Sequence, residues 1–300
     1  MPGFWTHIIV GDQVKNKIEN PTFKKTIENN QKIYNFGCQG PDFLYFNNFW
    51  PWLKDKRGNK AGGELHAADI KSLFLLGIQY IKQELDEDYF NKMLSYFCGF
   101  IIHFISDILY HKSILKKIET NEEHIIMEIK LDTYLVSKVW HKEAYFIDSL
   151  KKVNIGNALP FYIENFYKKI LSAKTNYHLN LNYINSSYKD FKRLFKILYI
   201  PGNIKRKLLF LADYFISWNI KNVIYPLETE FPVFQEDYEK EFDDILFKAV
   251  NISTRLLTGV YNYMIYQIDK DELSKILDES KKAVNDIKFS QEDISQVASL

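Results

Sequence analysis

Three features of this 300-residue sequence predict an all-α fold. Apolar residues recur at the three- and four-residue steps of a helix in segment after segment, while strand-like alternation is nowhere convincing. Helix punctuation falls where those segments begin or end, at Pro21, Gly37 and Pro160. The densest stretch, 96–132, places His103, Asp107 and His111, then His124, Glu128 and Asp132, at four-residue steps. Four residues advance a helix by one turn plus about 40°, so each triplet lines one stripe.

Taken in order, Thr6 can cap a helix over 7–19, whose apolar side is Ile8, Ile9, Val10, Val14 and Ile18. Pro21 suits the first turn of a helix over 21–35, which Gly37 stops. The segment CQGPDFLYFNNFWPW turns at Gly40-Pro41, and Asp42 leads into the aromatics Phe43, Tyr45, Phe46, Phe49, Trp50 and Trp52. Residues 54–63, charged and glycine-rich, read as a loop. A helix over 64–84 starts near His66, with an apolar stripe through Ile70, Phe74, Leu75, Ile78 and Ile81. Helices over 87–116 and 121–140 carry the two triplets. Pro160 opens or interrupts a helix running to 173, and the Asn/Tyr/Ser-rich 176–188 is the best boundary. That divides the chain into 1–175 and a helical extension, 176–300, packed on the first part as one unit. The extension holds helices near 188–199, 203–223, 236–266 and 271–286, and no internal repeat is found.

Composition narrows the function classes. A hydrophobic content of 46%, with 16% aromatic residues, marks a globular chain able to bury a sizeable core. The net charge of +1 supplies no global field for nucleic acid or an anionic membrane, so such a partner must meet a local patch. Cys38 and Cys98 make no disulfide framework and no CxxC, which fits a reducing compartment. The first residues lack the basic and apolar regions of a secretory signal. The longest apolar run, 96–110, is shorter than a membrane span and is interrupted by His103 and Asp107. A soluble, cytoplasmic protein without a transmembrane segment is expected. HExxH, Glu-x-x-His pairs, GxGxxG, a P-loop and a serine nucleophile elbow are all absent.

Imidazoles and carboxylates in so apolar a run cost several kcal/mol unless each is paired or metal-bound. If the two triplet segments pair as antiparallel helices, their stripes can face each other, and a divalent metal, zinc first, resolves the cost. Five of the seven histidines (His7, His66, His103, His111, His124) fall in the first 124 residues, accompanied by Asp42, Asp107 and Glu128. WTH at 5–7, GPDF at 40–43, His66, HxxxD at 103–107 with His111, and HxxxE at 124–128 follow one another in a telling order. Over roughly residues 1–145 this order resembles the bacterial zinc-dependent phospholipase C family, whose relatives include the S1/P1-type nucleases.

The resemblance implies a multi-helix, all-α bundle of the phospholipase C / P1 nuclease type around a zinc cluster. Carried over by position, Asp42, His66, His103 and Asp107 hold one zinc, and His111, His124 and Glu128 a second. Asp107 bridges to a third, shared with His7. In exported members a terminal tryptophan completes that third site; here Trp5 is internal, and His111 follows HxxxD sooner than usual, so two to three zinc ions are implied. Water on zinc ionises near pH 7, Asp42 is the candidate general base, and the expected substrate is a phosphodiester, foremost a phospholipid, with transient contact to a membrane surface. The alternatives are an S1/P1-like nuclease, for which the net charge gives no strong nucleic-acid signal, and a non-catalytic helical domain with structural zinc.

Each feature also has a plainer reading. His103 with Asp107 is an i,i+4 ion pair, and a lone buried histidine such as His7 or His66 is a hydrogen-bonded core residue. His141 and His178 lack a carboxylate at helical spacing and are read as ordinary residues. Asp132 is either a support to a ligand histidine or a solvated helix residue. The aromatics after Asp42 either wall a lipid or choline pocket or fill core. Segment 203–220, basic and then apolar, either lies on a membrane surface or packs into the core.

Overall fold

The long helix α6 (Glu87–Ser113) is the axis of the molecule. Its residues are helix formers and aromatics with no proline, opened by Glu87 and Asp88 and closed by His111 and Lys112, which suits the helix dipole. By length and composition it could cross a membrane, yet 94% of its most apolar window is buried inside the protein. The apolar run is therefore spent on packing against the helices around it. The computed structural model describes residues 3–50, 52–83, 86–113, 118, 120–174, 182–199, 205–209, 211, 224–226 and 236–285; among these there are helices and turns and no strand.

Around α6 stand α1 (Phe4–Lys17), α2 (Pro21–Asn29), α3 (Gln31–Gly37), α5 (Ile70–Lys82), α9 (Phe161–Lys174), α11 (Glu236–Met264) and α12 (Lys270–Asn285). A short 3₁₀ turn (Asp42–Phe46) packs on α4 (Arg57–His66) and α10 (Tyr183–Leu198), and α7 (Asn121–Trp140) lies along α1. A one-turn helix, α8 (Ser149–Val153), packs on α3. One core runs through all of them, with Trp5, Tyr34, Tyr96 and Tyr167 fully buried. Its closest approach is between α3 and α6. A side chain on Gly37 would overlap the Tyr96 carbonyl, and one on Gly99 the Tyr34 carbonyl. The two backbones touch because both residues lack a Cβ.

Several local expectations are corrected. Thr6 does not cap α1: the helix already begins at Phe4, its N-cap is Gly3, and Thr6 lies inside it. The segment 21–35 is two helices, not one, broken at Asn30. Residues 57–63 are helical where a loop is expected, because Gly58, Ala61 and Gly62 form a small-residue face buried against the 3₁₀ turn. The helix expected over 64–84 is consequently split, with Asp69 capping a fresh start by accepting from the Ser72 N–H at 3.0 Å. The expected helix over 203–223 lies mostly outside the described residues, as does His178. Helices α7 and α9 to α12 fall where the periodicity puts them, apart from α10, which starts five residues earlier, at Tyr183 rather than 188.

Candidate metal centre

The eight sequence-derived candidates are delivered by five elements of this fold: α1, the 3₁₀ turn, α4, α6 and α7. α6 presents His103, Asp107 and His111 one turn apart. α1 brings His7, buried, so that its ring lies 4.4 Å from the His103 ring, centroid to centroid. The α3–α6 contact brings in the turn after α3, where Gly40 has φ of 51° and a side chain would overlap the His103 imidazole. Two independent demands, the left-handed backbone and the missing Cβ, thus make position 40 a glycine. That turn places Asp42 at the head of the 3₁₀ segment, buried. His66 is the last residue of α4, and its Nδ1 donates to the Gly62 carbonyl at 2.8 Å, with the Tyr45 hydroxyl 3.2 Å from the same nitrogen.

These devices converge. His66 Nε2 is 3.1 Å from His103 Nε2 and 3.2 Å from Asp42 Oδ1, and His103 Nε2 is 3.5 Å from Asp42 Oδ1. Ligand atoms around a tetrahedral zinc with bonds of about 2.0–2.1 Å are roughly 3.3–3.4 Å apart. The triangle fits that ion in both spacing and donor chemistry. A second group, His7, His103 and Asp107, likewise has one donor atom from each residue within 4.8 Å of the others. His103 thus belongs to both groups.

The set expected for the second zinc is joined pairwise. His111 Nε2 is 3.4 Å from Asp107 Oδ1, His124 Nε2 is 2.9 Å from Glu128 Oε1, and the His111 and His124 rings are 5.1 Å apart. A capping box of Thr120 and Glu123 starts α7 one turn before His124 and fixes where this pair stands. Asp107 sits between the sets, one turn from both His103 and His111.

The electrostatics are those of a crowded, dry site. Burial raises the Asp42 carboxyl to about 6, helped by the charge of Asp107 and opposed by His66. Burial alone would lower His66, but its hydrogen bond and attraction to Asp42, with the charge of Asp107, lift it to about 9. His103 is pushed well below the imidazole range by burial and by His7. Asp107 stays below the carboxylate range despite its burial, because His111, His66 and His103 surround it. Unaided, the site holds a proton on His66 to offset two buried carboxylates; a dication would take over that task and release the proton.

Asp132 needs a correction. It is neither solvated nor a support to a ligand histidine: it is fully buried and holds the start of α1. Its Oδ1 accepts from the Thr6 N–H and hydroxyl, both at 2.7 Å, and its Oδ2 from the Trp5 N–H at 2.9 Å and the Tyr225 hydroxyl at 2.6 Å. The available signal was its place one turn beyond Glu128 among Leu131, Tyr134 and Leu135; its partner, 126 residues away, could not be read. Tyr45, beside His66 Nδ1, was visible only as an aromatic. His141 ends α7 in the left-handed region (φ 53°), exposed and away from the centre.

A cavity of about 520 Å³ opens beside the centre. Asp42 and Glu128 lie in its wall among Phe4, Phe46, Ile129 and Phe195. The aromatic cluster divides accordingly: Phe43 is core, whereas Tyr45, Phe46 and Phe49 face the cavity. No curated protein and no solved structure matches this chain. The family model described as zinc dependent phospholipase C matches residues 6–193, past the last histidine motif and into α10. Helices, histidines and carboxylates thus stand in one frame, and the chain belongs to the zinc-dependent phospholipase C family.

Proposed function

We propose that this protein is a zinc-dependent hydrolase of phosphodiesters, and that its substrate is a phospholipid. One observation carries the reading: a mostly apolar cavity of about 520 Å³ has in its wall one carboxylate from each of two proposed zinc-ligand sets, Asp42 and Glu128. The volume suits a small-molecule site. Among the described lining residues there is no Lys or Arg, whereas a groove for nucleic acid would carry cations along the backbone. This supports a lipid over a polynucleotide.

Asp42, His66, His103 and Asp107 would hold one ion, and His111, His124 and Glu128 another, with Asp107 reaching a third beside His7. Bound zinc supplies an acidified water and positive charge for the phosphoryl oxygens. The protein's own groups do the rest. The Gly62 carbonyl fixes the His66 tautomer and leaves Nε2 for the centre. Asp42, set in the cavity wall, is placed to take the proton of the attacking water. Phe4, Phe46 and Phe195 exclude bulk water from the wall, which strengthens each charge interaction within. Elemental analysis of the purified chain, followed by hydrolysis assays on phosphatidylcholine, phosphatidylethanolamine and single-stranded RNA, tests the reading. Zinc-dependent release of a phosphorylated head group is expected, and a metal-bound protein that cleaves only RNA would overturn the lipid assignment.

A further inference from the structure

Several of the large apolar side chains that this fold leaves exposed lie on segments that adjoin the cavity wall. Phe49 is in the cavity wall, and from it a run of stacked rings leads outward, Phe49 to Trp50 at 4.6 Å and Trp50 to Trp52 at 4.9 Å. Trp52 ends the run 64% exposed, followed by exposed Leu53. Phe146 is exposed between Tyr145 and Ile147, both in the wall. The Arg206 guanidinium lies 5.4 Å from the centre of the Tyr145 ring, and Leu208 and Leu211 just beyond it are each 60% exposed. Three separate segments thus bring bulky apolar groups to the surroundings of one cavity.

Two of the three segments also carry exposed lysines. Lys54 follows Trp52–Leu53 directly, and Lys207 adjoins Leu208. Lys56 donates to the Asn48 and Trp50 carbonyls and thereby ties the aromatic segment in its bend. Tryptophan beside lysine is the chemistry of a water–lipid boundary, where the ring sits at head-group depth and the cation meets anionic phosphate. Single exposed apolar residues are ordinary; a set of them placed around an apolar cavity is not.

We infer that the segments carrying Trp52–Leu53, Phe146 and Leu208–Leu211 form a docking surface for an anionic lipid bilayer, seating the cavity mouth against it. The inference rests on the proposed action on phospholipids and says how the substrate reaches the site. A lipid leaving the bilayer would pass directly into apolar surroundings, with its phosphate last to leave water.

The test is vesicle co-sedimentation of the full zinc-loaded chain, using phosphatidylcholine vesicles with and without phosphatidylserine. The wild type is expected to bind, more tightly with phosphatidylserine. The double variant Trp52→Ala/Leu53→Ala is expected to bind at least about tenfold more weakly, with an unchanged melting temperature and unchanged hydrolysis of a soluble short-chain phosphodiester. A second variant in a separate segment, Leu208→Glu/Leu211→Glu, is expected to do the same and keeps the test decisive if the first misfolds. Equal vesicle binding by wild type and variants, or no wild-type binding to either vesicle, overturns the docking surface. Variant-sensitive vesicle binding by a chain that hydrolyses no phosphodiester leaves the docking surface standing and removes the catalytic reading instead.

Discussion

The Nε2 atoms of His66 and His103 stand 3.1 Å apart, closer than two bare imidazole lone pairs settle without a proton or a cation between them. His66 is the last residue of α4 and His103 lies in the middle of α6, so the contact joins residues 37 positions apart in the chain. The first expectation is therefore metal content. Two to three zinc ions per chain should be found by elemental analysis after metal-replete purification and be lost to a strong chelator. Less than one transition metal per chain would remove the assignment.

Histidines should differ in consequence. His103→Ala deletes the donor common to both closed groups, so metal and activity should fall together, and the zinc-loaded protein should lose the stabilisation that bound metal gives the folded state. His141→Asn, which keeps a residue tolerant of the left-handed backbone, should leave metal and activity near wild type. Metal titration and melting curves on the pair decide.

Asp107→Asn keeps the shape and removes the charge that lets one carboxylate serve neighbouring ions. Loss of more than one zinc per chain is expected, with collapse of phosphodiesterase activity. A simple i,i+4 pair with His111 or His103 would instead leave the metal in place. Full zinc retention would end the bridging role.

Gly40→Ala should be severe for a change of one methyl group. The new Cβ meets both an unfavourable φ of 51° and the His103 ring. A loss of at least about 1–2 kcal/mol is expected from the backbone alone, together with weakened zinc affinity because His103 must shift. A variant that melts and binds zinc like wild type would show that the turn yields freely.

Asp132 should leave a mark on the pH dependence of stability. Burial raises its folded value to about 6, above an unfolded value near 3.8. The folded chain then binds more protons than the unfolded one between those values, so this group's contribution is full below about pH 4 and fades as pH rises to about 6. The change is about 3 kcal/mol. Asp132→Asn lacks this dependence, so the stability gap between wild type and variant should shrink over that interval. A constant gap in denaturant melts at pH 4, 5, 6 and 7 would contradict the assignment.

The helical architecture was legible because its signals are local: apolar steps on α6, Pro21 in the first turn of α2, and Pro160 before α9. Most of the candidate donors were legible because HxxxDxxxH and HxxxE are spaced by one helical turn. What escaped was tertiary. The small residues of 57–63 read as loop-forming, yet Gly58 and Gly62 are small so that α4 can lie against the 3₁₀ turn. Asp132 stayed open between a support to a ligand histidine and a solvated residue because the four groups that fill its oxygens belong to residues 5, 6 and 225. The division of the aromatics between core, cavity wall and surface depends on which side of a turn each occupies, and spacing does not encode that.

The tie between α1 and Asp132 also has a bearing on how the chain is made. The Thr6 N–H meets its acceptor only 126 residues later, an interval of roughly 6–25 s at ordinary translation rates of about 5–20 residues per second. Until α7 emerges, the first helix has unfilled amide donors at its start and Trp5 lacks the Trp140 ring it meets edge-on. Assembly of the centre therefore waits until nearly half the chain is made, and chains truncated ahead of residue 132 should be bound by chaperones or aggregate rather than fold.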